Sequence, residues 1–181
     1  MTFGADARLE QGTLVGGAFT YAKTDLNQQD YLAGSGNNSQ NFQISGYASH
    51  DFGEWYLDAI LSYGEQRYKS HRDTGVTGVA SANYTGSIWG TKVTAGLPIA
   101  ISDKTTLTPF ASVEYSSIRQ NSYTESGAGV LNLSVKGTTA ERFRSGLGVR
   151  VTGETTVSGT LIRPTLHAQW LHEYRNDGVA T

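Results

Sequence analysis

The chain has 181 residues, a formal net charge of −2, 22 glycines, 10 tyrosines, only 3 prolines and no cysteine. That charge offers no broad field for a phosphate backbone, so no nucleic-acid partner is expected, and the missing cysteines exclude disulfides and thiolate metal sites. No run approaches the roughly 18 apolar residues of a spanning helix, and Met1 leads straight into alternating sequence, so a membrane would be crossed by strands, with any export signal elsewhere.

In chain order, the first predicted strand is Thr2–Glu10, where Phe3, Ala5, Ala7 and Leu9 alternate with Asp6, Arg8 and Glu10. A tight break at Glu10–Gly12 precedes a second strand, Thr13–Thr24, and a long polar stretch follows over Asp25–Gln40. The third strand, Asn41–Phe52, ends at the break Phe52–Glu54. Next, Trp55, Leu57, Ala59, Leu61 and Tyr63 share one face against Tyr56, Asp58, Ile60, Ser62 and Gly64, and only Ile60 interrupts the polar side. Ser70–Asn83 is a second long polar stretch. In Tyr84–Ile99, Trp89, Thr91, Val93, Ala95, Leu97 and Ile99 oppose Lys92 and Thr94, and Ile101–Lys104 is another tight break.

Leu107, Pro109, Ala111, Val113 and Tyr115 then alternate with Thr108, Phe110, Ser112, Glu114 and Ser116, before the long stretch Gln120–Thr139. Phe143, Leu147, Val149 and Val151 oppose Arg142, Arg144, Gly146, Gly148 and Arg150. After the connection Gly153–Gly159, Leu161–Tyr174 sets Ile162, Pro164, Leu166, Ala168 and Trp170 against Arg163, Thr165, His167 and Gln169. Period two is the strand signature, and strands this long exceed the roughly 5–6 residues of globular sheets.

The reading is all-β: one domain over residues 1–181, an antiparallel up-and-down transmembrane barrel, incomplete, with about eight meandering strands. Short and long connections alternate, as when one rim carries turns and the other extracellular loops. Trp55, Tyr63, Trp89, Tyr115 and Trp170 are expected as a lipid-facing aromatic girdle around Leu, Ala and Val. The opposite parity carries Asp6, Arg8, Asp58, Lys92, Glu114, Arg142, Arg144, Arg150, Arg163 and His167, with Glu173 beyond, and is expected to face a polar lumen. The same alternation would also serve a sheet with one solvated surface.

Asp58, His167 and an inward serine invite a hydrolase triad, but no Gly-x-Ser-x-Gly turn occurs and such a site is defined by geometry. His167 and His172 fall on opposite faces of a strand and make a poor metal pair. No catalytic residue, metal or cofactor is assigned. Arg142, Arg144 and Arg150 read as partners of Asp58, Glu114 or Asp6, or as groups setting the field of a pore. Pro109 and Pro164 cannot donate to a ladder and belong near a rim or a bulge.

Several segments carry a resemblance: Phe3-Gly-Ala-Asp-Ala-Arg-Leu, Leu14-Val-Gly-Gly-Ala-Phe-Thr-Tyr, Trp55-Tyr-Leu-Asp-Ala-Ile-Leu-Ser-Tyr-Gly and Leu107-Thr-Pro-Phe-Ala-Ser-Val-Glu-Tyr-Ser. Tyr123-Thr-Glu-Ser-Gly-Ala through Leu133, Arg144-Ser-Gly-Leu-Gly-Val-Arg, Ile162-Arg-Pro-Thr-Leu and Trp170-Leu-His-Glu-Tyr follow in order. Together they resemble the translocator barrel of autotransporters, the type V secretion proteins, over strands two to nine of its twelve. The resemblance implies a bacterial outer-membrane domain that anchors and helps export its own N-terminal passenger, is inserted by the barrel-assembly machinery and lies among outer-membrane lipid. It implies no reaction for the barrel itself. A small adhesin-like barrel that binds host surfaces through long loops is the alternative. Both ends would face outward and the final Gly-Val-Ala-Thr has no aromatic end signal, so a truncated domain is expected, whose eight strands either curl into a small barrel or remain a bent open sheet. Tyr123–Leu133 either folds over the mouth or stays a flexible polar loop.

Overall fold

A computed structural model describes residues 1–9, 12–28, 34–76 and 78–176. The strands are β1 (Thr2–Arg8), β2 (Thr13–Asn27), β3 (Gly36–Asp51), β4 (Tyr56–Asp73), β5 (Val79–Gly96), β6 (Ile99–Ser102), β7 (Thr105–Gln120), β8 (Tyr123–Thr124), β9 (Ser134–Val135), β10 (Thr138–Gly153), β11 (Thr155–Val157), β12 (Thr160–Ile162) and β13 (Thr165–Asn176). One nine-stranded antiparallel sheet follows chain order, β1-β2-β3-β4-β5-β7-β10-β13, with β6 on β7; β8-β9 and β11-β12 are separate small pairs. The order confirms the meander, and β1 and β13 remain as free edges, so the sheet is not closed.

Strands outrun the sequence pattern wherever the pattern becomes polar on both sides. β4 and β5 are 18 residues each, so most of the stretch read as a loop over Ser70–Asn83 is ladder, and past Asp73 the Thr74 N–H donates to the Gly78 carbonyl at 3.1 Å. β3 likewise begins at Gly36, well inside the stretch read as a loop over Asp25–Gln40. Backbone hydrogen bonds continue a hairpin whatever its side chains, whereas alternation marks only the part with two different surroundings. Part of the turn Glu10–Gly12, part of Asp25–Gln40 and the last Gly-Val-Ala-Thr lie outside the described residues.

The strand expected over Leu161–Tyr174 is also corrected. Thr160–Ile162 folds back on Thr155–Val157 through Ser158 and Gly159, both with positive φ (51° and 82°), and the main ladder resumes only at Thr165. Pro164 has no N–H, and its carbonyl accepts from Gly153 at 2.9 Å, closing the rim. Pro109 faces the gap between β5 and β6, where its carbonyl accepts from Leu97, so its missing donor interrupts no β10 bond.

Cross-strand partners share a face, so register traces rows across the sheet. The row that starts at Thr13 in β2 runs through His50, Leu57, Ala95, Ala111 and Leu147 to Trp170, well inside β10 and β13. The short-turn rim therefore runs obliquely to the hydrogen bonds, as tilted barrel strands require.

There is almost no interior. Among the described residues the buried apolar ones are Ala80, Ala82 and Ala128, while Leu61, Leu147 and Leu166 stand 56%, 60% and 76% exposed. Among the described residues no second sheet covers them.

Candidate functional site: a sheet with two chemically different faces

One face is apolar. Ala7, Val15, Ala48, Ala59, Val93 and Val113 are successive partners, and the next row holds Leu61, Thr91, Tyr115 and Phe143. Aromatics cap this face toward the long-loop end. Tyr63 pairs with Trp89, whose ring lies 5.2 Å from Tyr115, and Phe143 sits 5.4 Å from Tyr174 at a bulge of β13. Tyr21 on β2 and Phe42 on β3 are 5.1 Å apart. At the short-turn end, Trp55 stacks on Phe52 at 4.1 Å. Trp170 lies on the apolar face in mid-strand, with His172 and then Tyr174 beyond it.

The other face is polar. Asp6, Gly16, Tyr47, Ile60, Lys92, Glu114, Arg144 and Glu173 form a single row. Arg8, Ser49, Asp58, Thr94 and Ser112 lie in the next. Arg144 Nη2 donates to Glu114 Oε1 at 2.7 Å, and Arg142 Nε to Glu173 Oε1 at 2.9 Å. Ser49 donates to Asp58 at 2.6 Å, and Tyr47 to Asp6 at 3.2 Å. Lys92 is the direct partner of Glu114, and His167 of Arg150. Arg150 finds an aromatic instead of a carboxylate, its guanidinium 5.6 Å over the Phe110 ring.

Arg163 departs from this face. It sits between β12 and β13 and bonds Glu154 at 2.8 Å on the rim hairpin, because Pro164 keeps it out of the ladder. Asp58 and His167 are not brought together: β4 and β13 are separated by β5, β7 and β10.

Large side chains of the polar face lie over glycines of the neighbouring strand. Tyr47 covers its partner Gly16, Tyr56 covers Gly96, and Phe110 covers Gly148. Gln169 reaches across Gly146 to Ser112 Oγ at 3.0 Å. Parity alone puts Tyr47, Tyr56 and Phe110 among polar residues, and a glycine at the facing position is the signal that explains them.

The segment Asn121–Gly137 packs back onto the polar side of β4 and β5. Tyr123 stacks on Tyr84 at 4.2 Å, and Tyr84 on Tyr68 at 4.9 Å. Glu125, 8% exposed, accepts Arg72 Nη2 at 2.6 Å and the Leu133 N–H at 2.9 Å, while Arg72 Nη2 also reaches the Leu131 carbonyl. Ser81 and Ser126 exchange backbone bonds. The loop is therefore not a free polar segment: it folds back onto β4 and β5.

The Arg72 hydrogen bond, opposed by burial, holds the Glu125 carboxyl below its ordinary range. A depressed carboxylate contributes stability above its undocked pKa and loses it as pH falls through the docked one. Amide protection at Glu125 and Leu133 should therefore stay constant from neutrality to about pH 4.3 and fall only in stronger acid. Glu125→Gln should speed exchange there about tenfold at neutral pH and abolish the acid dependence; unchanged exchange in that variant would show that the tyrosine stack alone holds the loop.

A single-layer, up-and-down antiparallel sheet, apolar and uncovered on one side and ion-paired on the other, defines an outer-membrane β-barrel wall. The profile of the Autotransporter beta-domain family matches residues 1–181, and the chain belongs to that family. It is 29% identical over 185 residues to outer membrane protein A of Rickettsia conorii, covering 97% of this chain and 9% of that one. With outer membrane protein B of Rickettsia japonica the identity is 26% over 183 residues, covering 96% and 11%. The chain thus spans about a tenth of the length of these curated relatives. In structure it is similar to the translocator domain of autotransporter NalP from Neisseria meningitidis, with TM-score 0.74 and 17% identity, covering 97% of this chain and 60% of that one. The beta domain of the Bordetella autotransporter Brka gives TM-score 0.68 and 19% identity, covering 98% and 70%. The location is the bacterial outer membrane.

Proposed function

We propose that residues 1–181 form part of one barrel that anchors a protein in the outer membrane and helps carry its own N-terminal passenger to the cell surface. The observation that carries this is the uncovered apolar face, continuous from β1 to β13, beside a polar face on which Arg142 pairs with Glu173 and Arg144 with Glu114. Soluble monomers rarely leave contiguous apolar patches exposed to water. In this reading Tyr63, Trp89 and Tyr115 meet the outer lipid interface, Trp55 meets the inner one, and Trp170 lies in the band between. Asp6, Arg8, Asp58, Lys92, Glu114, Arg142, Arg144, Arg150 and His167 line the lumen, with Arg163 at its inner rim. The free edges of β1 and β13 take further strands, since an unpaired edge in hydrocarbon leaves backbone groups unsatisfied. Outer-membrane lipid, the barrel-assembly machinery and the passenger are its partners, and the barrel performs no reaction.

The test uses the full-length protein in cells. It should resist carbonate extraction and present protease-accessible passenger outside. Deleting the coding region of residues 1–181 should abolish surface exposure. Passenger that still reached the surface, or full-length protein that washed off with carbonate, would contradict the assignment.

A further inference from the structure

Beyond its aromatic end the apolar side of the sheet changes character. After Tyr63 the same parity of β4 reads Glu65, Arg67 and Lys69, and their neighbours across the ladder include Thr85 and Asn83 of β5. β7 adds Arg119 on this side, and Asn121, just past its end, donates to Thr85 Oγ1 at 2.8 Å. Arg67, Lys69, Asn83, Thr85 and Asn121 line a surface depression of about 430 Å³. A second, of about 320 Å³, lies beside it under Arg119 and Thr139. Glu65 is taken by Arg67 at 2.8 Å, whereas Lys69 and Arg119 are exposed and have no ion pair among the described residues.

A strand that continues past its girdle enters the headgroup layer. Cations held there on a hydrogen-bonded ladder, with amides and hydroxyls between them, match a headgroup that is both phosphorylated and rich in hydroxyls. The opposite rim lacks this excess: Arg163 is neutralised by Glu154, and Lys104 follows Asp103. We propose that Lys69 and Arg119, with Arg67 beside them, bind the phosphate groups of an anionic glycolipid in the outer leaflet. The inference rests on the lipid-facing assignment made above.

The experiment compares diphosphorylated lipid A with its dephosphorylated form on the refolded full-length protein, with retention read by native mass spectrometry. Brominated acyl chains report contact with tryptophan in parallel. Lys69→Gln and Arg119→Gln should each reduce the preference for the phosphorylated lipid about fivefold. The double variant should lose most of it, Lys104→Gln should keep it, and tryptophan quenching should persist in all. Quenching together with an undiminished phosphate preference in the double variant overturns the proposal, as does inorganic phosphate binding as tightly as the lipid. Absence of quenching in the unaltered protein instead removes the lipid-facing assignment itself.

Discussion

Replacing Leu147 with arginine should lower the stability of the folded barrel by about 2–4 kcal/mol, the cost of a cation on the lipid face near the bilayer midplane. Leu147 lies midway along the apolar side of β10, between Val151 and Val149 on one side and Ser145 and Phe143 on the other, and it is 60% exposed. Nothing in the sheet packs against it tightly enough for lost contacts to explain such a cost, so the penalty comes from the surroundings of the side chain. Thr94→Arg is the matched control. Thr94 is on the polar face, directly opposite Asp58, and a guanidinium there gains a carboxylate and keeps water. Its effect should stay within about 0.5 kcal/mol. Urea titration of full-length protein refolded in lipid vesicles, followed by the gel shift of folded barrel, measures both. Equal effects from the two substitutions would mean that both faces meet the same solvent, and the membrane assignment would fall.

This asymmetry between faces was legible before any coordinates because hydrocarbon and a polar lumen impose opposite demands at each step of a strand. Leu57 through Tyr63 and Leu107 through Tyr115 carry that demand plainly, and both lie in the ladder with the expected parity. Above the aromatics it disappears. Gly36–Gln40 and Tyr68–Asp73 have polar residues on both sides, so nothing in their side chains distinguishes a protruding hairpin from a loop, although each lies in a ladder, with β4 pairing β3 up to His71 and β5 up to Asp73. Arg163 escapes the pattern for a different reason. The alternation of Ile162, Pro164 and Leu166 runs through a proline, and the Ser158-Gly159 pair between Thr155–Val157 and Thr160–Ile162 is a hairpin signal that accounts for the break. The Arg72–Glu125 pair joins residues 53 positions apart, and no local pattern announces a contact made by a loop folding back.

Substituting Gly148 with alanine should cost about 2–3 kcal/mol, far more than the change of one methyl group suggests, because the added carbon has nowhere to go. It would lie 2.8 Å from the Ala168 carbonyl oxygen and against the edge of the Phe110 ring. The ring can swing aside, although that ends its contact with the Arg150 guanidinium. The carbonyl cannot move without straining the β10–β13 ladder, in which Val149 pairs with Ala168 and Gly148 with Gln169. Gly46→Ala is the contrasting change: a β-carbon there meets nothing within 4 Å, and removing backbone freedom from the unfolded chain should leave stability unchanged or raise it by about 0.5 kcal/mol. Adding Phe110→Ser to Gly148→Ala separates the two obstacles, since it clears the ring and leaves the carbonyl. Partial recovery in the double variant, measured by the same urea titration, is the expected result. Full recovery would place the whole cost on the ring, and no cost for Gly148→Ala alone would show that the polar face is packed loosely enough for neighbouring strands to slide, which a lumen lined by interlocked side chains and glycines does not allow.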